Sequence, residues 1–261
     1  MNPLDDVLDV LGDAGDWLRS LLRSGVELTE PVWSRMAPGD HVGVVTVLLL
    51  AGLGALATLL APSWKITRHG VTIVHEMGHA SMAVAMRRRV EGIKLHTDTS
   101  GVALTSGKPR GLGMLLTLLA GYTAPSTVGL VLLACVSRGW SGAALTALCL
   151  LLVLALLLVR NLWGLVSVGA SLLLAGFVWW YEAGDVSTVL TALIAGVLLS
   201  GGMRATFDLV AAHRRGEGAA SDAGQASAIT LLPSVAWLAF FQAWSGLSVL
   251  ASVYFLIAGA L

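Results

Sequence analysis

The chain has 261 residues, of which 56% are apolar and only 12% charged; an average soluble protein carries roughly a quarter, so a soluble globule is excluded. Sixteen Lys and Arg balance sixteen Asp and Glu, which leaves no net field to draw a polyanion, and nucleic acid is not an expected partner. Cys135 and Cys149 lie in apolar runs without CxxC spacing and read as space-filling side chains.

The opening MNPLDDVLDV is acidic and has no early apolar stretch, so no cleaved secretory signal is expected. Leu4, Leu8, Leu11, Leu18 and Leu22 recur at helical spacing among Asp5, Asp9, Asp13, Asp16 and Arg19, which predicts an amphipathic interfacial helix within a cytosolic region 1–40. From residue 41 onward the chain is dominated by apolar runs near the roughly 20 residues that a span needs. They are Val42 to Ala61, Gly111 to Val136, Gly142 to Val159, Asn161 to Tyr181, Val186 to Val210, and a tail from Ile229 to Leu261. A shorter, more polar run, Val71 to Met86, makes about seven, with six or eight left open by the two ambiguous stretches. After it, Val90 to Thr97 and Val102 to Thr105 alternate around Asp98-Thr-Ser-Gly101, the pattern of a β-hairpin whose uncovered edge suits an extended peptide. His213 to Gln225 is polar and rich in small residues and reads as a loop. The expected fold is therefore an all-α polytopic membrane protein with a small hairpin.

With seven spans and a cytosolic N-terminus, thirteen Lys and Arg fall inside and only Lys65, Arg68 and Arg138 outside, in line with the positive-inside rule. A multi-pass protein of the cell membrane follows. Trp64, Trp140, Trp163, Trp179 and Trp180 lie near span ends, where indoles anchor at the headgroups.

In Val71-Thr-Ile-Val-His-Glu-Met-Gly-His79, His75 and His79 are four apart and share one helical face, with Glu76 directly after the first. This is His-Glu-x-x-His, in which two imidazoles hold Zn²⁺ and the carboxylate acts as base toward water. Only Glu76 and Asp208, of all the acidic residues, fall at hydrocarbon depth, where an ionisable group needs a partner. A catalytic zinc takes three protein ligands. Asp208, in Arg204-Ala-Thr-Phe-Asp208, is the leading candidate for the third because its depth matches that of His79, with an ion pair to Arg204 as its alternative role. Asp222, in Ser221-Asp-Ala223, is the weaker candidate, since it requires the loop to fold back. Gly121 to Gly129 interrupts a span with small residues and Pro125, for packing or for a freed carbonyl, and Tyr122 is a further candidate near the metal. His41, His69 and His96 read as surface or interface residues.

Together these residues resemble the site-2 protease family of intramembrane zinc metalloproteases over about residues 64–245. The Arg204-x-x-x-Asp208 and Ser221-Asp-Ala223 segments resemble a divergent branch that replaces the usual Asn-Pro-x-x-Asp-Gly. The resemblance implies one Zn²⁺ per chain on His75, His79 and Asp208, with Glu76 as general base. It also implies the hairpin as a substrate-binding edge, and a membrane protein or peptide as substrate within the lipid bilayer. The competing reading is a non-proteolytic membrane metal-binding protein, either a pseudoprotease or a metal transporter. Oligomeric state is left open.

Overall fold

The structure, a computed structural model, describes residues 32–39, 42–181 and 184–258. The amphipathic segment Leu4 to Arg23 and His41 lie outside the described residues. The chain divides into two units at Ala37/Pro38. Of the first, a single helical stretch, 32–36, is described. The second carries the elements α1 (Val44–Leu59), α2 (Ala61–Ala85), β1 (Arg89–Leu95), β2 (Gly101–Ser106), α3 (Leu112–Ser137), α4 (Ser141–Leu158), α5 (Leu162–Trp180), α6 (Gly184–Arg214), α7 (Asp222–Ile229) and α8 (Ser234–Ala258).

Helices α3, α4, α5, α6 and α8 are each long and apolar enough to cross a membrane. The expected first and seventh spans form instead a pair bent by 108°, which makes a sixth span if the two count as one. The break is a single extended residue, Leu60, and Pro62 in the next first turn explains it: proline starts a helix well but cannot continue one. Residues Trp64 to Gly70, expected as an external connection, are thereby helical. The tail resolves into one spanning helix, α8, rather than two.

Large apolar side chains face outward along the spans, among them Leu49, Leu162, Leu173 and Phe177. That is the inverse of a soluble globule and the natural solution in lipid, where hydrocarbon is the solvent. Association between the helices therefore rests on close packing and polar bonds. Small residues sit at the crossings: a Cβ on Gly54 (α1) would strike the Leu193 carbonyl of α6, and one on Gly129 (α3) would meet the Ala195 carbonyl at 3.0 Å. The buried Ser126 hydroxyl pairs with Ser245 at 3.1 Å, and the Trp244 indole donates to Thr127 at 3.0 Å, so α3 is tied to α8. Trp140, Trp163 and Trp180 are exposed near helix ends as expected. Trp64 differs: it is buried beneath the Arg204 guanidinium, 4.8 Å from the ring centroid.

The hairpin is antiparallel, pairing Leu95 with Gly101 and Arg89 with Ser106, with a bulge between Val90 and Gly92. Its tip is closed by Asp98, whose carboxylate accepts from the Ser100 amide at 3.0 Å and hydroxyl at 2.7 Å; these bonds hold the Asp98 carboxyl below its ordinary value. The Thr72 hydroxyl of α2 donates to the Thr99 carbonyl at 2.8 Å and pins the tip back against the helix. The outer edge of β1 is already occupied. Ile93 bridges Val159, the Arg160 amide donates to the Ile93 carbonyl at 2.9 Å, and Asn161 bonds both backbone groups of Leu95. Among the described residues no backbone–backbone hydrogen bond reaches the outer edge of β2, although the Ala103 amide donates to the Glu76 carboxylate.

Candidate metal centre

The paired imidazoles of α2 meet α3 where α3 has no side chain. A Cβ on Gly121 would collide with Cε1 and Nε2 of His79 and stand 2.8 Å from Cε1 of His75. Gly78, on α2, lies as tightly against α3, 2.5 Å from its virtual Cβ to the Ala120 carbonyl. Two missing side chains thus let the helices approach and leave the rings a niche. Tyr122 closes the far side, its ring edge-on to His75 with centroids 4.6 Å apart.

His79 is oriented from behind. Its Nδ1 lies 2.7 Å from the Thr117 carbonyl. A carbonyl accepts only, so Nδ1 carries the proton and Nε2 presents a lone pair forward. That lone pair lies 3.1 Å from Nε2 of His75.

The carboxylate that joins them is Asp222. Its Oδ2 lies 3.4 Å from His75 Nε2 and 3.3 Å from His79 Nε2, and these three residues form a group able to hold a metal ion. Asp208, the leading expectation, is not in that group: its carboxylate faces Arg68 at 4.0 Å, with the side chain 45% exposed. Nor does Asp208 pair with Arg204, whose guanidinium donates to the Thr58 carbonyl. The physical reason is that residue counts from assumed span ends do not fix which turns of two helices meet. Asp208 of α6 meets α2 at Arg68, about two helical turns before His75.

Asp222 arrives because the predicted loop is not all loop. Ser221 caps α7, its Oγ accepting from the Gly224 amide at 3.2 Å and donating to the Gly218 carbonyl at 2.7 Å. The His213 ring, bonded through Nδ1 to the Leu209 carbonyl at 3.1 Å, lies against Gly218, where any Cβ would strike it. The turn therefore folds back onto the end of α6 and sets Asp222 in the first turn of α7. The signal was readable as Ser preceding a small-residue helix, an N-cap pattern.

Three donors fit a zinc ion. With bonds of roughly 2.0–2.1 Å, tetrahedral geometry separates ligands by about 3.3 Å, and the three separations here are 3.1, 3.3 and 3.4 Å. Two imidazoles and one carboxylate leave a fourth position open, the pattern of a catalytic zinc.

Glu76 sits beside this group, buried at 3% exposure. Its Oε2 has no hydrogen-bond partner, and Gly101, the first residue of β2, approaches so closely that a Cβ would lie 2.6 Å from Oε1. The hairpin thus walls the carboxylate on one side. Together these residues line a cavity of about 380 Å³ that also touches Val102, Ala103 and Thr105 of β2. His96, exposed on the hairpin, and His69, packed on Trp163 at 5.8 Å, take no part.

Replacing Gly121 with Ala is expected to displace both rings and weaken metal binding by about ten- to a hundredfold, the scale seen when a ligand's support is lost. Competition against a chromophoric chelator measures it; unchanged affinity would mean that the rings yield without cost.

A family model described as Peptidase M50B-like matches residues 45–252. No curated protein and no solved structure matches the chain.

Proposed function

Because the chain belongs to the Peptidase M50B-like family, that is, the site-2 protease family, we propose that it is an intramembrane zinc metalloendopeptidase that cleaves membrane-spanning substrates. The observation that carries this reading is the spacing of the three donors His75, His79 and Asp222, with an unpartnered carboxylate oxygen of Glu76 next to them. In this proposal Asp222, rather than Asp208, is the third ligand. Zinc at that position would polarise a scissile carbonyl and make water more acidic.

The chain's own groups do the rest. Glu76 takes the proton from the attacking water and returns it to the leaving amine. Its burial beside Gly101 keeps bulk water from competing for Oε2. The open edge of β2 receives the substrate as an added strand, which requires its span to unwind locally, and Gly101 to Thr105 then carry the backbone past Glu76. The orientation proposed is N-terminus in the cytosol, in the cell membrane, with 41–261 as the protease domain and 1–40 as an accessory region. A metal transporter is disfavoured because the neighbouring cavity on the α2 side is lined by Lys65, Arg68 and Arg204, which repel a cation. A pseudoprotease has no use for the retained Glu76.

The test is metal-dependent cleavage by purified protein. Chelation is expected to abolish cleavage of a transmembrane peptide and to lower the thermal midpoint, and stoichiometric Zn²⁺ should restore both. Full cleavage by protein shown to be metal-free would sink the reading.

A further inference from the structure

A second cavity, of about 480 Å³, lies at the tip of the hairpin, two helical turns before the metal centre along α2. Its wall holds Lys65 and Arg68 of α2 and Arg204 of α6, with Trp64 beneath and Thr97 and Asp98 from the tip. Three cations thus face one carboxylate, and that carboxylate is engaged by Ser100 within its own turn. Among the described residues neither Lys65 nor Arg204 has a carboxylate within ion-pair distance, and Arg68 meets Asp208 only at 4.0 Å. Arg204 donates to the Thr58 carbonyl and lies over the Trp64 ring, contacts that hold its guanidinium in place on a helix long and apolar enough to span a membrane but bring no negative charge to it. The arrangement calls for an anion.

The position of the cavity says which one. Thr99 lines this cavity and Gly101, two residues on, lines the metal centre, so the hairpin tip is a wall common to both. Arg68 and His75 are seven residues apart on α2 and share a face, about 10 Å apart along the axis. An extended peptide covers that distance in about three residues. A substrate strand lying antiparallel on β2 runs with its C-terminal side toward Gly101 and the tip. We propose that the Lys65–Arg68–Arg204 cavity is a specificity subsite that binds an Asp or Glu side chain of the substrate, about three residues after the cleaved bond. This rests on the protease reading above for its meaning, and its test does not depend on turnover.

The test measures binding to the Glu76→Gln protein in neutral detergent. The probes are fluorescent host peptides of Ala, Leu and Val carrying one Asp at successive positions, beside a matched set with Asn. Anisotropy is expected to show Asp bound about tenfold more tightly than Asn within one narrow window of positions. The preference should vanish when Lys65→Gln and Arg68→Gln are added. Lys65 is exposed and forms no ion pair among the described residues, so Lys65→Gln alone, with an unchanged thermal midpoint, controls for misfolding and should lower the preference. Equal binding of Asp and Asn peptides at every position, or a preference that survives both substitutions, overturns the proposal. Equal peptide binding together with phosphatidylglycerol capture that depends on Lys65 also overturns it, and gives the cavity to a lipid phosphate. If wild-type protein cuts none of the peptides while the Asp preference stands, it is the protease reading that fails and the anion subsite that survives.

Discussion

Glu76→Gln is expected to keep zinc at one atom per chain and to lose cleavage by about a thousandfold, the middle of the range for removing a general acid–base group. Gln is nearly isosteric and fits the same buried slot against Gly101, so the fold has no reason to change. The proposed metal donors are His75, His79 and Asp222, and none of them is touched. The amide cannot accept a proton from water at neutral pH, which isolates the base function from metal binding. Metal analysis and a cleavage assay on the same preparation check both halves. Cleavage at the wild-type rate would remove Glu76 from the mechanism.

Asp222→Ala and Asp208→Ala are expected to part company. The first removes one of three protein donors, so zinc affinity should fall by at least about a hundredfold and cleavage should disappear with it. The second removes a half-exposed carboxylate 4.0 Å from Arg68, an ion pair of the kind worth at most about 1 kcal/mol, and zinc should remain. Elemental analysis of both proteins beside His79→Ala decides the matter. Loss of zinc from Asp208→Ala with retention in Asp222→Ala would restore the pairing suggested by sequence and discard the donor set of the structure.

Much of the fold is legible in the chain, and so are His75, Glu76 and His79 of the candidate site. Hydropathy runs mark the five long helices because a span must be apolar along its whole length, and a period of four places His75 and His79 on one face. The hairpin is visible in its alternation and in Asp98-Thr-Ser-Gly. The sharp bend after Leu59 is marked by Pro62, yet a proline announces a break without its angle. Asp222 lies within a polar stretch that reads as a loop, whereas its N-cap, Ser221, and the His213–Gly218 contact make it a fold-back turn.

Local chemistry, then, identifies His75, Glu76 and His79 as a unit, since their relation depends only on helix geometry over one turn. Which carboxylate joins them depends on contacts between segments about 140 residues apart, and there residue counts from assumed span ends do not say which turns of two helices meet. Asp208 faces Arg68, about two helical turns before His75. Asp222 faces the imidazoles because small residues, Gly121 between the helices and Gly218 and Gly224 in the turn, leave room for the chain to close around them.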